Sequence, residues 1–481
     1  MMGAERKRNE KLFYYSFNLE KRIRQDHPLR RVLGWVDFSF VRRAVKGCYG
    51  YNGHSSEDPI VIVKLMFLLF FEDIKSEREL MRIVPERLDY LWFLGFDLED
   101  KIPHHSILSK ARARWGRGVF EELFVGVVAQ CVAAGLVGGE KVHIDASLVE
   151  ANASADSVMS GPPELIEQLK KVYAMEERKL EEVEEDPARR KYYRKKNREL
   201  MSRTDPEAAI VKQSRWDQSR PRYKNHRVVD DEKGVITAME TTAADREENR
   251  RMIPLTRQHE RNTGRKVQTV VTDAQYGTQD NFAHCAAQGI RAHMSDLMAK
   301  RAQTGLFAEE AFDYDEQEDC YWCPAGQALR KQQHRKKRKV LIYKAKARVC
   351  NQCELKSYCT RSRTGRTLHR HILHEEVQKA RAQSHSWQAR QDRVRRKYLM
   401  EGSFADATNN HHFKRSRWRG LLPQQIQDYL IGVCQNVRIL LRHPRHKPAL
   451  SLAMLADHSQ RHSFAAPLGT FWLFQNCSRR L

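Results

Sequence analysis

YKNHRVVDDEKGVITAMETT, residues 223–242, decides the fold class. Two runs rich in β-branched residues flank Asp231, Glu232, Lys233 and Gly234, and polar turn residues between such runs mark a β-hairpin. Working outward, KVHIDAS (141–147) upstream has strand character that closes on Asp145. Downstream, REENRRMIPLTRQHERNTG (246–264) reads as helix and leads into VQTVVTD (267–273), a strand closing on Asp273. Strand, hairpin, helix and strand predict an α/β sheet of mixed direction. NFAHCAAQGIRAHMS (281–295) adds a further helix and a short strand. In this plan Asp145 and Asp273 both stand where a strand leaves the sheet, the usual place for chemistry in such folds.

Residues 10–137 show helical spacing of apolar positions, as in ERELMRIVPERLDYLWFLGF (77–96) and VFEELFVGVVAQCVAAGLV (119–137), and Gly138 and Gly139 break the pattern. The most apolar stretch, Pro59–Phe71, is shorter than the ~20 residues a membrane span needs and is interrupted by Lys64, so it predicts a buried helix. Residues 162–200 have the charge density of an exposed helix or helical pair. In SRTDPEA (202–208), Thr204 with Glu207 three residues on predicts a helix start. Residues 297–375 lose the pattern in clustered cysteines and basic runs, which predicts an insertion. Helix resumes through 376–442, and the tail 443–481 has no clear period. The expected organisation is therefore 10–137 helical and DNA-binding, 138–296 first part of the core, 297–375 insertion, 376–442 last part of the core, and 443–481 tail.

The chain of 481 residues carries 85 Lys and Arg against 61 Asp and Glu, a formal charge of +24. Residues 321–420 alone hold 26 basic against 6 acidic residues. An excess this concentrated is the footprint of a polyanionic partner, DNA or RNA above all; a solubilising surface is the plainer alternative. No secretory leader is evident in MMGAERKRNEKLFYYSF, which predicts a cytoplasmic protein without a membrane role and with reduced thiols. Cys323, Cys350, Cys353 and Cys359 form C-x26-C-x2-C-x5-C. A C-x2-C knuckle with two further thiolates suits one tetrahedral, structural Zn2+, with unmetallated core cysteines as the alternative.

The acidic residues predict the chemistry. Asp145 and Asp273, with Glu401 in the basic helical segment RRKYLMEGSFADATNN (395–410), are hard-cation ligands, although either Asp read singly is an ordinary turn or cap residue. Two divalent ions held by such carboxylates recur in displacement at phosphodiesters. Lys414, Arg415, Arg417 and Arg419 in KRSRWRG are candidate phosphate contacts, with Trp418 for stacking on a base and a solvated face as the alternative. Lys224 and His226 are weaker candidates. Tyr276 reads either as a DNA contact or as packing beneath the strand end.

HIDASLVEANAS, SRTDPEA, the hairpin, VVTDAQYGTQDN and MEGSFADATNNHHFKRSRWRGL, in this order, resemble the DDE transposases of bacterial insertion sequences, and residues 76–116 resemble their helical N-terminal domain. The likeness covers roughly residues 15–442. It implies a ribonuclease H-like mixed sheet with flanking helices, an all-α N-terminal domain and a small cysteine-rich insertion. It also implies Asp145, Asp273 and Glu401 as ligands of two Mg2+ ions, for which Mn2+ substitutes, terminal inverted repeats and target DNA as partners, and a homodimer or higher synaptic complex. Related branches carry Tyr, Arg and Lys at offsets of minus seven, minus four and plus seven from the Glu; here Val394, Lys397 and Thr408 stand there. Asp406 is the nearest rival to Glu401, and His104 and His105 replace the usual Asp-His pair. A DNA-binding protein without activity and a nuclease without strand transfer remain the alternatives.

Overall fold

The computed structural model describes residues 18–49, 56–178, 197, 199–213, 216–295, 305–335 and 339–443. The tail after His443 and most of the charged stretch after Arg178 lie outside them. Two long helices lead, α1 (Pro59–Phe71) and α2 (Gly118–Ala133), with shorter helices around them. The central sheet comprises β1 (Lys141–Glu150), β2 (Ala209–Val211), β3 (Arg220–Asp230), β4 (Ile236–Ala243), β5 (Thr269–Thr272) and β6 (Arg291–Met294). Helix α3 (Met252–Thr263) precedes β5, and α4 (Gln279–Ala287) joins β5 to β6. A second sheet follows, of β7 (Asp313–Asp315), β8 (Cys320–Trp322), β9 (Ala328–Arg335), β10 (Val340–Lys344) and β11 (Thr367–His371). Two long helices close the described chain, α5 (Trp387–His411) and α6 (Leu421–Arg442).

In the central sheet β1 lies between β3, antiparallel, and β5, parallel, and β6 extends the parallel side. The other edge of β3 takes β2 near its start and β4 thereafter. The β3–β4 hairpin matches the sequence reading, its turn running through Asp231–Gly234. One expectation needs correction: β1 does not close on Asp145. It continues to Glu150, because β3 pairs with it from Asp230 back to Arg222. What stops near Asp145 is the parallel pairing with β5, last made between His143 and Val271.

Helices cover both faces of this sheet, so its strands alternate between two buried sides. Val142, Ile144, Val228, Val270 and Ala292 pack against Met252 and Leu255 of α3 and Phe282 and Cys285 of α4. On the opposite face Val149, Val229, Ile236 and Met239 join a larger core containing α1, α2, Met400 and Ala407 of α5, and Leu430, Val433 and Val437 of α6. The N-terminal helices and the last two helices thus share one continuous interior.

Helix α1 is apolar on every side, which only an interior position satisfies. Asp58 caps it by accepting from the Ile60 amide at 3.0 Å, and Pro59 opens it without wasting a donor. Lys64 is accommodated because its Nζ donates to the Phe93 carbonyl at 2.9 Å beside the Phe93 ring; burial lowers its pKa. Among the described residues no helix is long and apolar enough to cross a membrane.

A second correction concerns SRTDPEA. No helix starts at Thr204; residues 203–208 form bends and a turn. The two carboxylates cap a different helix, α6, whose own first residues offer no side-chain cap. Asp205 accepts from the Gly420 amide at 3.2 Å and Glu207 from the Leu421 amide at 2.6 Å. These answer the amides that every helix start leaves unpaired. Asp205 is fully buried and also accepts from the Tyr223 hydroxyl at 2.5 Å. Asp205→Ala should therefore lower the unfolding free energy by about 2–4 kcal/mol, through an orphaned hydroxyl and amide. Thr204→Ala should stay within about 0.5 kcal/mol. Denaturant titration of both variants checks this, and the reverse order would restore Thr204 as the cap.

Candidate active site

Residues 141, 143 and 145 of β1 point to the face crossed by α5, and each carries a charged or ionisable group. Lys141 Nζ donates to Asp392 at 2.9 Å, and the other oxygen of Asp392 lies 2.7 Å from His293 Nδ1. His143 Nε2 lies 2.8 Å from Asp231, which also accepts from Arg395 at 2.5 Å. Burial works against the Asp231 charge, but the His143 and Arg395 bonds outweigh it and hold the carboxyl at about 2. Asp145 Oδ2 accepts from Arg396 Nη1 at 2.6 Å, and its Oδ1 accepts from the Ala146 amide at 2.8 Å.

Asp145 lies two residues beyond His143, where the β1–β5 pairing ends, and Asp273 directly follows β5, near enough for its charge to act on Asp145. Burial pushes the Asp145 pKa up; Arg396 opposes this, and the charge of Asp273 adds to the rise. A half-desolvated carboxylate pair of this kind gains from a cation. Asp273 begins a short turn, accepting from the Gln275 amide at 2.9 Å. The turn is held by Asn281, which donates to the carbonyls of Tyr276 and Asn249 at 2.8 and 2.9 Å. Gly277 is required there, since a Cβ would stand 2.0 Å from the Ser295 carbonyl oxygen.

Tyr276 is fully buried, so a direct DNA contact is corrected to a place beneath the carboxylates. Among the described residues its hydroxyl has no hydrogen-bond partner. Burial first, and then the charges of Glu248, Asp145 and Asp273, push its pKa well up.

Glu401 lies elsewhere. It sits on α5 roughly 140° around the helix from Arg396 at 3.6 residues per turn. Its side chain is exposed, and no hydrogen bond or ion pair among the described residues reaches it. The sheet side of α5 is instead Asp392, Arg396, Met400, Ser403 and Ala407. Asp406 accepts from Gln435 and Asn410, both at 2.8 Å, in the seam between α5 and α6. Among the described residues no three His, Cys, Asp or Glu side chains are grouped so as to hold a metal ion as they stand. The structure therefore brings the two aspartates together and leaves Glu401 apart.

Sequence reading missed Arg396, because it counted from Glu401 to the basic residue at minus four, Lys397, which faces solvent. The helical spacing of Ala389, Asp392, Arg396 and Met400 marks the buried side and could have found it. Arg227 was missed too. It is fully buried opposite Asp145 in the β1–β3 pairing and donates to Ser403 Oγ at 3.0 Å and Gln435 at 3.2 Å. Its guanidinium lies over Phe404 at 4.3 Å.

The DNA-contact candidates divide. Lys414, Arg415 and Arg419 are exposed, and Lys414 Nζ donates to Ser147, two residues beyond Asp145, at 2.8 Å. Arg417 and Trp418 are corrected to packing roles. Trp418 meets Phe70 of α1 edge-on at 5.7 Å and carries Arg112 at 3.7 Å, while Arg417 donates to the Ile74 carbonyl and lies over Phe70. Lys224 is paired internally with Glu248 at 2.8 Å, and His226 is buried against Thr242.

Cys323, Cys350, Cys353 and Cys359, all free thiols, line one cavity of about 30 Å³ in the second sheet's domain. The Gln327 amide donates to Cys323 Sγ at 3.3 Å and the Arg366 amide to Cys350 Sγ at 3.5 Å. Burial raises the Cys359 pKa, with Arg366 opposing and the other three sulfurs adding to the rise. Cys320 is buried in β8 and does not line the cavity.

Two family models match the chain. One is a transposase domain, over residues 17–114, and the other a transposase DDE domain, over residues 322–441. The second match takes in the four cysteines, α5 and α6; Asp145 and Asp273 precede it. A comparison with curated proteins gave no match. A solved piggyBac transposase synaptic complex with hairpin DNA is similar at 8% identity and a TM-score of 0.33, over 92% of this chain and 87% of that one. A transposase domain is thus matched on the N-terminal side of the chain and a transposase DDE domain on its C-terminal side.

Proposed function

We propose that this transposase cuts the ends of its element and joins them to target DNA at Asp145 and Asp273. The observation that carries the reading is that Asp145 of β1 and Asp273, directly after β5, flank the end of the β1–β5 pairing close enough for their charges to interact, with the Asp145 carboxylate already holding a cationic partner in Arg396. The strand order β4-β3-β1-β5-β6, with β1, β5 and β6 parallel, supports a ribonuclease H-like core. Asp145 and Asp273 fit a hard divalent cation, Mg2+ in this reading, and Glu401 is the third carboxylate by order of motifs. Two such ions supply Lewis acidity at the scissile phosphate and lower the pKa of the attacking hydroxyl.

The chain's own residues set the rest. Arg396 neutralises Asp145 in the protein alone and is free to turn to a phosphate once that carboxylate has another counter-charge. Tyr276 keeps a donor beneath the pair that is unpaired among the described residues. Lys414 and Arg415, held next to β1 by the Glu150–Arg415 bridge, stand where flanking phosphates would run. The partners in this reading are the terminal repeats and target DNA, engaged by a homodimer or larger synaptic complex.

In this reading the four cysteines, which line one cavity without being grouped to hold an ion as they stand, would draw together around one structural Zn2+. The sulfurs of Cys323 and Cys350 each receive a backbone amide donor at the rim of that cavity. The cluster compensates for the small apolar core of this sheet, which rests on Phe312, Tyr321, Leu329, Tyr343, Ala345 and Leu368.

Asp145→Asn and Asp273→Asn should each reduce Mg2+-dependent cleavage and strand joining by at least about 10³-fold while duplex affinity stays within about threefold of wild type. Glu401→Gln should lose as much; activity near wild type would remove Glu401 and leave the aspartate pair. Cleavage without joined product would favour the nuclease, and binding alone the inactive DNA-binding protein. Purified protein should carry about one zinc per chain, and Cys353→Ser close to none. Zinc-free protein with an intact melting transition would exclude the structural ion.

A further inference from the structure

The second sheet carries more positive charge than its own stability uses. β9 pairs with β8 only from Ala328 to Arg330, so from Lys331 onward it is an edge strand bonded to β10 alone. A strand over a core alternates between buried and exposed side chains. Here every side chain from Arg330 to Arg335 is exposed. Lys331 is neutralised by Asp319 at 2.8 Å. Arg330, Arg335 and Lys339 have no carboxylate partner among the described residues. Residues 334–339 read His-Arg-Lys-Lys-Arg-Lys. One or two charges suffice to protect an edge from pairing with other chains, so this density calls for a polyanion.

The end of the ribbon is fixed relative to the carboxylates. Arg335 and Val340, its last described pair, line a cleft with Gln279, Asp280, Ile342 and His369. Gln279 Nε2 donates to the His369 carbonyl at 3.3 Å, and His371 lies 3.8 Å from Asp280. Gln279 opens α4, six residues after Asp273. The basic end of the ribbon is thereby tied to the start of α4, six residues after Asp273.

The geometry points to the β9–β10 ribbon as a grip on the phosphate backbone of duplex DNA, through Arg330, Arg335 and Lys339, that sets the duplex against the strand end bearing Asp273. This rests on the transposase reading. It adds a sequence-independent anchor placed by the second sheet.

Binding of the full chain to a fluorescein-labelled random-sequence duplex, by anisotropy across a potassium chloride series, tests it. Arg330→Gln, Arg335→Gln and Lys339→Gln combined should lower the salt slope by about two to three units, at ~0.9 per phosphate lost. Affinity should fall at least about tenfold at ~0.1 M salt. Arg330→Lys with Arg335→Lys should keep the wild-type slope, and the melting temperature of the triple variant should be unchanged. If the triple variant keeps the wild-type slope and affinity while the wild type binds, cuts and joins DNA, the ribbon is an edge guard only and the proposal fails alone. If the wild type does not bind duplex DNA, the proposal and the transposase reading fail together.

Discussion

Charged side chains of β1 directed into the interior must each be paired, and α5 is placed by that requirement. An unpaired buried charge costs several kcal/mol, so such groups persist only with partners in reach. Lys141, His143 and Asp145 project from alternate positions of β1, and Asp392, Arg395 and Arg396 reach them or their partner Asp231 from one turn of α5. Ser403, further along the same helix, receives Arg227. Sliding or turning α5 would break these pairs together. The helix is consequently held by its polar contacts at one end and by Met400 and Ala407 in the large core at the other.

That constraint links fold and chemistry. The pairing that positions α5 also sets the Arg396 guanidinium on Asp145, offsetting its repulsion from Asp273. It also explains why Glu401 stands apart: with Arg396 committed to Asp145, a residue five positions on faces solvent. Bringing Glu401 to the aspartates requires α5 to exchange its Arg396 contact, a change that a bound counter-charge on Asp145 would favour. The N-terminal helices belong to this arrangement too, since Phe70 of α1 supports Trp418 and Arg417 immediately after α5.

Local patterns were legible in the sequence. The hairpin at Asp231–Gly234, the strand closing on Asp273 and the all-apolar helix at Pro59–Phe71 follow from turn chemistry and periodicity, which neighbouring residues determine. The continuation of β1 past Asp145 was not legible, because it depends on the length of β3, a partner far along the chain. Asp205 and Glu207 carry a true capping signal, but the helix they cap begins at Leu421, and sequence alone offers no way to see that pairing. Trp418 and Arg417 looked like DNA contacts because KRSRWRG is basic; tertiary packing turns two of its members inward. Which side of α5 faces the sheet was readable in principle from Ala389, Asp392, Arg396 and Met400, and counting offsets from Glu401 obscured it.

The central claim is that Asp145 and Asp273 form one divalent-cation site where the β1–β5 pairing ends. Mn2+ titration of the full chain, followed by electron paramagnetic resonance, measures it without DNA or turnover. Binding that weakens at least about tenfold in both Asp145→Asn and Asp273→Asn, with melting temperatures unchanged, is the expected result. Equal Mn2+ affinity in wild type and both variants would contradict the account.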